Sequence, residues 1–267
     1  MAMNTRMDLL FWGATPEGSK MTYREIAVSI EKLERLISRY HPKAELYQVN
    51  QRAYQQPLVI SAALFDILEQ CFDFFQKTEG YFDISLGKIY HEYKHHHKLA
   101  SDEQAAQFKD RVLLNREDHS IILATADIEL DLGGIGKGIA LEQIAQILSK
   151  YDIQNAFISF GGSSILTRGR HPHGDYWPFS LSNEKHHFQC PLNDDSISVS
   201  QSLVEQTNSQ HIIDPKTHAV VDRPITVIVK AKNPIHSEVL STTLVAAPPE
   251  RHASLARAFR DTEYWVF

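Results

Sequence analysis

With 267 residues, 43% of them hydrophobic, the chain can build a substantial core in one large domain or two small ones. Its formal net charge of −6 lacks the basic excess of a nucleic-acid binder. The two cysteines, Cys71 and Cys190, supply neither a disulfide framework nor a zinc site, and no run approaches the ~20 apolar residues of a membrane span. As written, the sequence is expected to begin in the cytoplasm, or to be exported if a leader once preceded Met1.

In chain order, the second half of Met1–Gly13 reads as a strand that enters a Gly/Pro turn at Gly13–Gly18. Thr22–Tyr40 is predicted helical from the stripe Ile26, Ile30, Leu33 and Ile37, ending ahead of His41-Pro42. Glu45–Asn50 is expected to be a loop or an extended piece. Ser61–Gln76 reads as a helix capped by Ser61, with Cys71 on its apolar face, and Thr78-Glu79-Gly80 ends it. Tyr81-Phe82-Asp83 then sets two aromatics and a carboxylate after a glycine, either as a packed turn or as a ligand contact. The histidine-rich stretch Lys88–Lys98 is expected to be a solvated loop. Ser101-Asp102 is expected to cap a short helix running to about Arg111.

The most informative stretch is Ile128–Leu141. Ile128, Leu130 and Leu132 alternate with Glu129 and Asp131, the period of a half-buried strand, and Ile121–Ala124 is expected to pair with it as a hairpin. Gly133 to Gly138, with Lys137 inside the run, leads into a helix whose apolar residues include Ala140, Ile144, Ile147 and Leu148. A strand, a glycine turn and a helix start expose backbone N–H groups at the positive helix end, which suits a phosphate, and Lys137 adds charge there. The P-loop pattern fails because Asp131 and Gly138 stand at its defining positions. The dinucleotide fingerprint fails at Ile139. A structural turn with a surface lysine is the other reading.

Ala156–Phe160 reads as a strand turned by Gly161-Gly162. A parallel right-handed crossover from Ile128–Leu132 is the expected connection. Ile165–Arg168, Trp177–Leu181 and Ser196–Ser200 are spaced like an antiparallel meander. His211 to Pro215 is a turn or an acid/base pair of His211 and Asp214. Ile225–Lys230 is a strand, Ser237–Ala246 and Glu250–Arg260 are helices, and Tyr264–Phe267 is a closing strand. No repeat, linker or break in composition divides the chain, so one domain over residues 1–267 is expected, of α+β class with mixed or antiparallel sheets and packed helices.

The ordered blocks resemble the ApbE family, the FAD:protein FMN transferases. They are Met3-Asn4-Thr5, Tyr40 with Glu45 and Asn50, Gly80-Tyr81-Phe82-Asp83, Asp131 to Gly138, Gly161-Gly162, His211 to Pro215 with Thr217, and Leu240 to Leu244. The resemblance implies Mg²⁺-dependent transfer of the FMN half of FAD to a Ser or Thr hydroxyl of a target flavoprotein, with release of AMP. An FAD pyrophosphate hydrolase and a non-catalytic FAD-binding protein are the alternatives. By the same resemblance, Met3, Tyr40, Tyr81, Phe82, Asp83, Asp131, Lys137 and Ile212 would contact FAD. Gly134 through its carbonyl, Glu238 and Thr242 would hold the metal with Ser241 nearby, and His211 and Lys137 would act in catalysis. The chain departs from the family pattern at Glu238, where an Asp is usual, at His218, where a glycine closes a turn, and at Val199-Ser200-Gln201, in place of a Thr-Ser-Gly turn.

Overall fold

The computed structural model describes residues 3, 5–96, 108–182, 187–202 and 212–267, with the side chains of 94–96 and 109 excepted. In chain order the elements are β1 (Met7–Trp12), α1 (Pro16–Ile37), α2 (Glu45–Arg52), β2 (Leu58–Val59), α3 (Ala62–Lys77), α4 (Gly87–His96), α5 (Phe108–Arg111), β3 (Val112–Asn115) and β4 (Ser120–Leu123). The second half follows with α6 (Gly136–Lys150), β5 (Asn155–Phe160), β6 (Ser164–Arg168), β7 (Trp177–Ser182), β8 (His187–Leu192), β9 (Ser196–Ser202), β10 (Ile225–Ala231), α7 (Pro234–Ala246), α8 (His252–Ala256) and β11 (Thr262–Val266).

The main sheet has the order β1-β5-β6-β9-β10-β11, and every neighbouring pair is antiparallel. Strand alternation sorts its side chains onto two faces. Ala156, Ile158, Phe160, Val227 and Val229 join the larger core with the stripes of α1, α3, α6 and α7. Phe157, Ile165, Ile197 and Ile228 face the other way and are covered by Trp177, Phe179 and Leu192 of the β7–β8 hairpin. A smaller sheet of order β2-β4-β3 lies apart from these. The α+β reading with antiparallel sheets and packed helices therefore holds.

Several local expectations are revised. α1 starts at Pro16 because Thr15 caps it, accepting from Gly18 N at 3.1 Å, and proline suits the first helical position. It stops at Ile37, where the Ser38 hydroxyl accepts from Tyr40 N and His41 N at 3.3 and 3.2 Å. Glu45–Arg52 is a helix, anchored by Leu46 and Val49 at i, i+3 spacing, and Gly87–His96 is a helix rather than a loop. β7 pairs with β8, a strand the sequence did not announce, and β9 pairs directly with β6, so the expected meander is interrupted. The expected cap at Ser101-Asp102 lies outside the described residues, while Phe108–Arg111 is helical.

The largest revision concerns Ile128–Leu132. Its apolar alternation is real, since Ile128, Leu130 and Leu132 are buried, but it is not a hairpin strand. β4 pairs with β2 and β3 instead. There is no parallel crossover either, because β5 lies between β1 and β6 in an antiparallel sheet. The segment touches Leu86 through one parallel bridge to Glu129. Its backbone is satisfied by other groups. Asp131 N donates to Ile84 O at 2.7 Å, and Gly87 N donates to Glu129 O at 2.9 Å. The buried Asn50 amide accepts from Leu130 N at 2.8 Å and donates to Leu130 O at 3.0 Å. One side chain thereby does what a partner strand would do.

Asn50→Leu should therefore destabilise the fold by about 2–4 kcal/mol, because two buried backbone groups lose their partner. Urea denaturation checks this. A second expectation concerns pH. Burial is the first cause lowering the pKa of His218, of His236 between Phe74 and Phe259, and of His252. A depressed folded pKa means that the unfolded chain takes up the proton first, so this stability is complete above ~6.5 and is lost as pH falls through the folded values. Asp83, raised by burial, works with the opposite sign. The urea midpoint should fall between pH 7.5 and 5.5, and His236→Phe should flatten that fall, each value marking roughly the histidine range.

Candidate active site

Both glycine turns deliver side chains to one place. The run 133–138 opens α6, whose N-cap residue Ile135 supplies no side-chain cap, so Lys137 leaves the first turn beside uncapped backbone N–H groups. Gly161 and Gly162, with φ +60° and +74°, reverse β5 into β6. That reversal places Ser163 and Ser164 against Lys137, whose ammonium donates to Ser163 Oγ at 3.1 Å and to Ser164 Oγ at 2.5 Å.

Across from Lys137 stands Glu238 of α7, with its Oε2 at 3.8 Å from Lys137 Nζ. The carboxylate side chain is 5% exposed and the lysine 25%, so a buried carboxylate faces a partly exposed ammonium. Gly138 makes this approach possible. A Cβ there would lie 2.8 Å from Ile235 Cα and 2.9 Å from Pro234 O, both backbone atoms of α7. α6 and α7 thus pack backbone to backbone.

β9 completes the floor. Ser196, Ser198 and Ser200 project from one face of the strand onto α7, while Ile197 faces the smaller core. Ser198 Oγ donates to Glu238 Oε1 at 2.8 Å and lies 2.9 Å from Ser241 Oγ, which is 2.8 Å from Ser200 Oγ. Val199-Ser200-Gln201 lies inside this regular strand, paired with β10. The sequence reading did not single out Ser163, Ser164 or Ser198. The Ser-Ile-Ser-Val-Ser alternation was the available signal, and it ordinarily marks a solvent face; here α7 buries it.

The candidate metal donors sit together and are oxygens throughout. A Cβ at Gly134 would lie 3.7 Å from Thr242 Oγ1 and 3.3 Å from the Phe82 ring. Thr242 Oγ1 has no hydrogen-bond partner among the described residues, and Glu238 Oε2 faces Lys137 Nζ at 3.8 Å. Among the described residues there is no group of three or more His, Cys, Asp or Glu that could hold a metal. A site of one carboxylate, a hydroxyl and a carbonyl matches a hard cation such as Mg²⁺ that draws further oxygens from a phosphate, and does not match zinc.

The remaining predicted residues form flanks to this floor. Met3 packs its Cε against Gly136, 3.0 Å from where a Cβ would stand, and its N donates to Glu34 at 2.6 Å. Asp131 Oδ1 accepts from Gly133 N at 2.8 Å, and its Oδ2 faces Arg39 Nε at 3.2 Å. That distance is right for a bond but the angle is not, so Arg39 Nε has no hydrogen-bond partner among the described residues. Arg39, which the sequence reading missed, also bonds Glu129 at 2.9 Å and donates to the exposed Tyr40 hydroxyl at 2.7 Å, with its guanidinium 4.6 Å from the Tyr40 ring.

On the other flank, Asp83 Oδ1 accepts from Ser85 N and Ser85 Oγ at 2.7 and 2.6 Å. Tyr81 is half-buried with Lys216 Nζ 5.4 Å from its ring. Phe82 is buried, T-shaped to Phe74 and beneath Gly134, so its ring is turned into the core. Ile212 O accepts from Val221 N at 2.8 Å at the neck of a tight loop. Inside that loop the Asp214 carboxylate accepts from Lys216 N and the Thr217 hydroxyl at 2.8 and 3.2 Å, which makes Asp214 a turn residue. His218 closes the turn at φ +55° with its N donating to Asp214 O at 2.8 Å, so the left-handed conformation persists without glycine, at a cost of about 1–2 kcal/mol. His211 lies outside the described residues.

The fold has known relatives. The ApbE family profile matches residues 3–266. The FAD:protein FMN transferase of Chlamydia trachomatis is 26% identical over 216 residues, covering 76% of this chain and 67% of that protein. The enzyme of the same name from Escherichia coli K12 is 23% identical over 275 residues, covering 92% and 78%. Among solved structures, the flavin transferase ApbE from Vibrio cholerae superposes with a TM-score of 0.82 at 20% identity, over 100% of this chain and 94% of that one. The ApbE protein from Thermotoga maritima gives 0.82 at 16% identity, over 100% and 92%.

The backbone contact at Gly138 can be tested directly. Gly138→Ala should destabilise the fold by about 1–3 kcal/mol, because the clash is with backbone and not with a flexible side chain. Gly174→Ala, whose new methyl would meet only Tyr176 O at 3.9 Å, should be near neutral. Denaturation midpoints of the two variants decide the matter.

Proposed function

We propose that this chain, which belongs to the ApbE family, transfers the FMN half of FAD to a Ser or Thr hydroxyl of an acceptor flavoprotein, releases AMP and uses Mg²⁺. The observation that carries the reading is the Lys137 ammonium set between two serine hydroxyls and the buried Glu238 carboxylate, at an uncapped helix start. Cleaving a pyrophosphate needs its oxygens neutralised and its attacker held in line. The acceptor oxygen forms a bond to the phosphorus of the FMN half, the bond from that phosphorus to the bridging oxygen breaks, and AMP leaves with that oxygen.

In this reading Lys137 turns from its serines toward the pyrophosphate. The backbone of 133–136 approaches the same charge, since glycine leaves the turn open. Glu238 Oε2, Thr242 Oγ1 and the Gly134 carbonyl would hold the divalent cation, which supplies charge neutralisation on the phosphate oxygens when bound. Tyr40 and Tyr81, whose rings are not buried, flank flat rings of the substrate, and Met3, Asp83, Asp131 and Ile212 shape its bed. Phe82 acts from below by supporting Gly134. His211 takes the proton from the incoming hydroxyl.

Purified protein incubated with FAD and an acceptor flavoprotein carrying a target threonine, in Mg²⁺ or EDTA, tests this by mass spectrometry. An FMN-sized mass gain on the acceptor with AMP released, only in Mg²⁺, is the expected result. Free FMN and AMP with an unmodified acceptor would make the protein a hydrolase. FAD recovered intact in both conditions would contradict catalysis.

A further inference from the structure

Glu238 carries its carboxylate on two methylenes, which leaves the group free to turn. The structure removes that freedom. Ser198 Oγ donates to Glu238 Oε1 at 2.8 Å, and both residues are at most 4% exposed. An ionised carboxylate only accepts, so the single Ser198 proton is committed to Oε1. Ser198 can then only accept from Ser241, 2.9 Å away, and Ser241 shares its own proton with Glu238 O at 3.0 Å. Ser200 in turn donates to Ser241 at 2.8 Å. The hydroxyl chain runs one way and ends on Oε1, leaving Oε2 as the one carboxylate oxygen turned to Lys137 and the site.

We propose that Ser198 is a positioning residue that makes Glu238 a one-oxygen ligand and so sets the choice of cation. Mg²⁺ takes six oxygens at ~2.0–2.1 Å in near-ideal octahedral geometry and is served by a single carboxylate oxygen, whereas Ca²⁺ accepts a bidentate carboxylate at ~2.3–2.6 Å. With Oε1 turned to Ser198 and one of its lone pairs occupied, bidentate binding costs that hydrogen bond, and the larger ion loses part of its advantage. The proposal rests on the metal reading of Glu238 given above.

The test is calorimetric titration of the full chain with Mg²⁺ and with Ca²⁺, in the presence of FAD, comparing wild type, Ser198→Ala and Ser196→Ala. Ser196 projects from the same strand face but bonds Ala231 O at 2.8 Å and Ser237, not Glu238, so its variant reports general disturbance of the strand. The expected result is that Ser198→Ala shifts the ratio of Ca²⁺ to Mg²⁺ affinity toward Ca²⁺ by roughly tenfold or more, the worth of one hydrogen bond to a charged group. Ser196→Ala should leave the ratio as in wild type. An unchanged ratio in Ser198→Ala, with both ions still bound, overturns the positioning role and leaves the metal reading standing. An equal shift in both variants overturns it as well. Wild type that binds neither ion overturns the metal reading and the proposal with it.

Discussion

The backbone contact between α6 and α7 at Gly138 is the constraint on which the site depends. Helices normally pack ~8–10 Å apart, held off by side chains. Here a glycine lets Pro234 and Ile235 of α7 meet α6 at distances that no Cβ tolerates. The consequence is electrostatic. Lys137 and Glu238, one residue before Gly138 and three after Ile235, come within 3.8 Å at the mouth of the interface. The ammonium then offsets a carboxylate that would otherwise be buried uncompensated. In the proposed function this pair is the resting state, its two charges claimed in turn by a phosphate and a cation.

Around that contact the fold brings segments distant in sequence to one floor. The β5–β6 turn supplies Ser163 and Ser164, β9 supplies its serine face, and the extended segment 128–132 leads in from the smaller sheet. That segment is held by Asn50 and Arg39, side chains from elements the sequence reading treated as a loop and a helix end. The site is therefore braced by single polar side chains where strand pairing is missing. The family assignment gives the site its proposed substrate.

What was legible in the sequence was local. The apolar stripes of α1 and α3, the Ser61 cap and the glycine run before α6 follow from periodicity and capping, which depend on neighbours three or four residues away. The failures were non-local. Ile128–Leu132 has a strand's alternation, but its partner is the side chain of Asn50, far earlier in the chain, and no pattern announces that. The parallel crossover failed for the same reason, since a buried alternating segment does not reveal which sheet takes it. Glu45–Arg52 is short, with two apolar anchors, too few to display a period. His218 stands where the family pattern has a glycine, and the hydrogen bonds of the loop around Asp214 hold it in the left-handed conformation. The ordered motifs gave the family; Ser198 and Arg39 escaped because a buried serine face resembles a wet one, and a buried arginine resembles a surface one.

The measurement that reaches the central claim most directly is a double-mutant cycle between Lys137→Met and Glu238→Gln, read as the rate of FMN transfer to an acceptor threonine. If the two residues act as one unit on the pyrophosphate, the double variant is scarcely slower than the worse single variant, with a coupling of about 1–3 kcal/mol. If the losses simply add, to within about 0.5 kcal/mol, the residues work independently and the shared site at the α6–α7 contact is refuted.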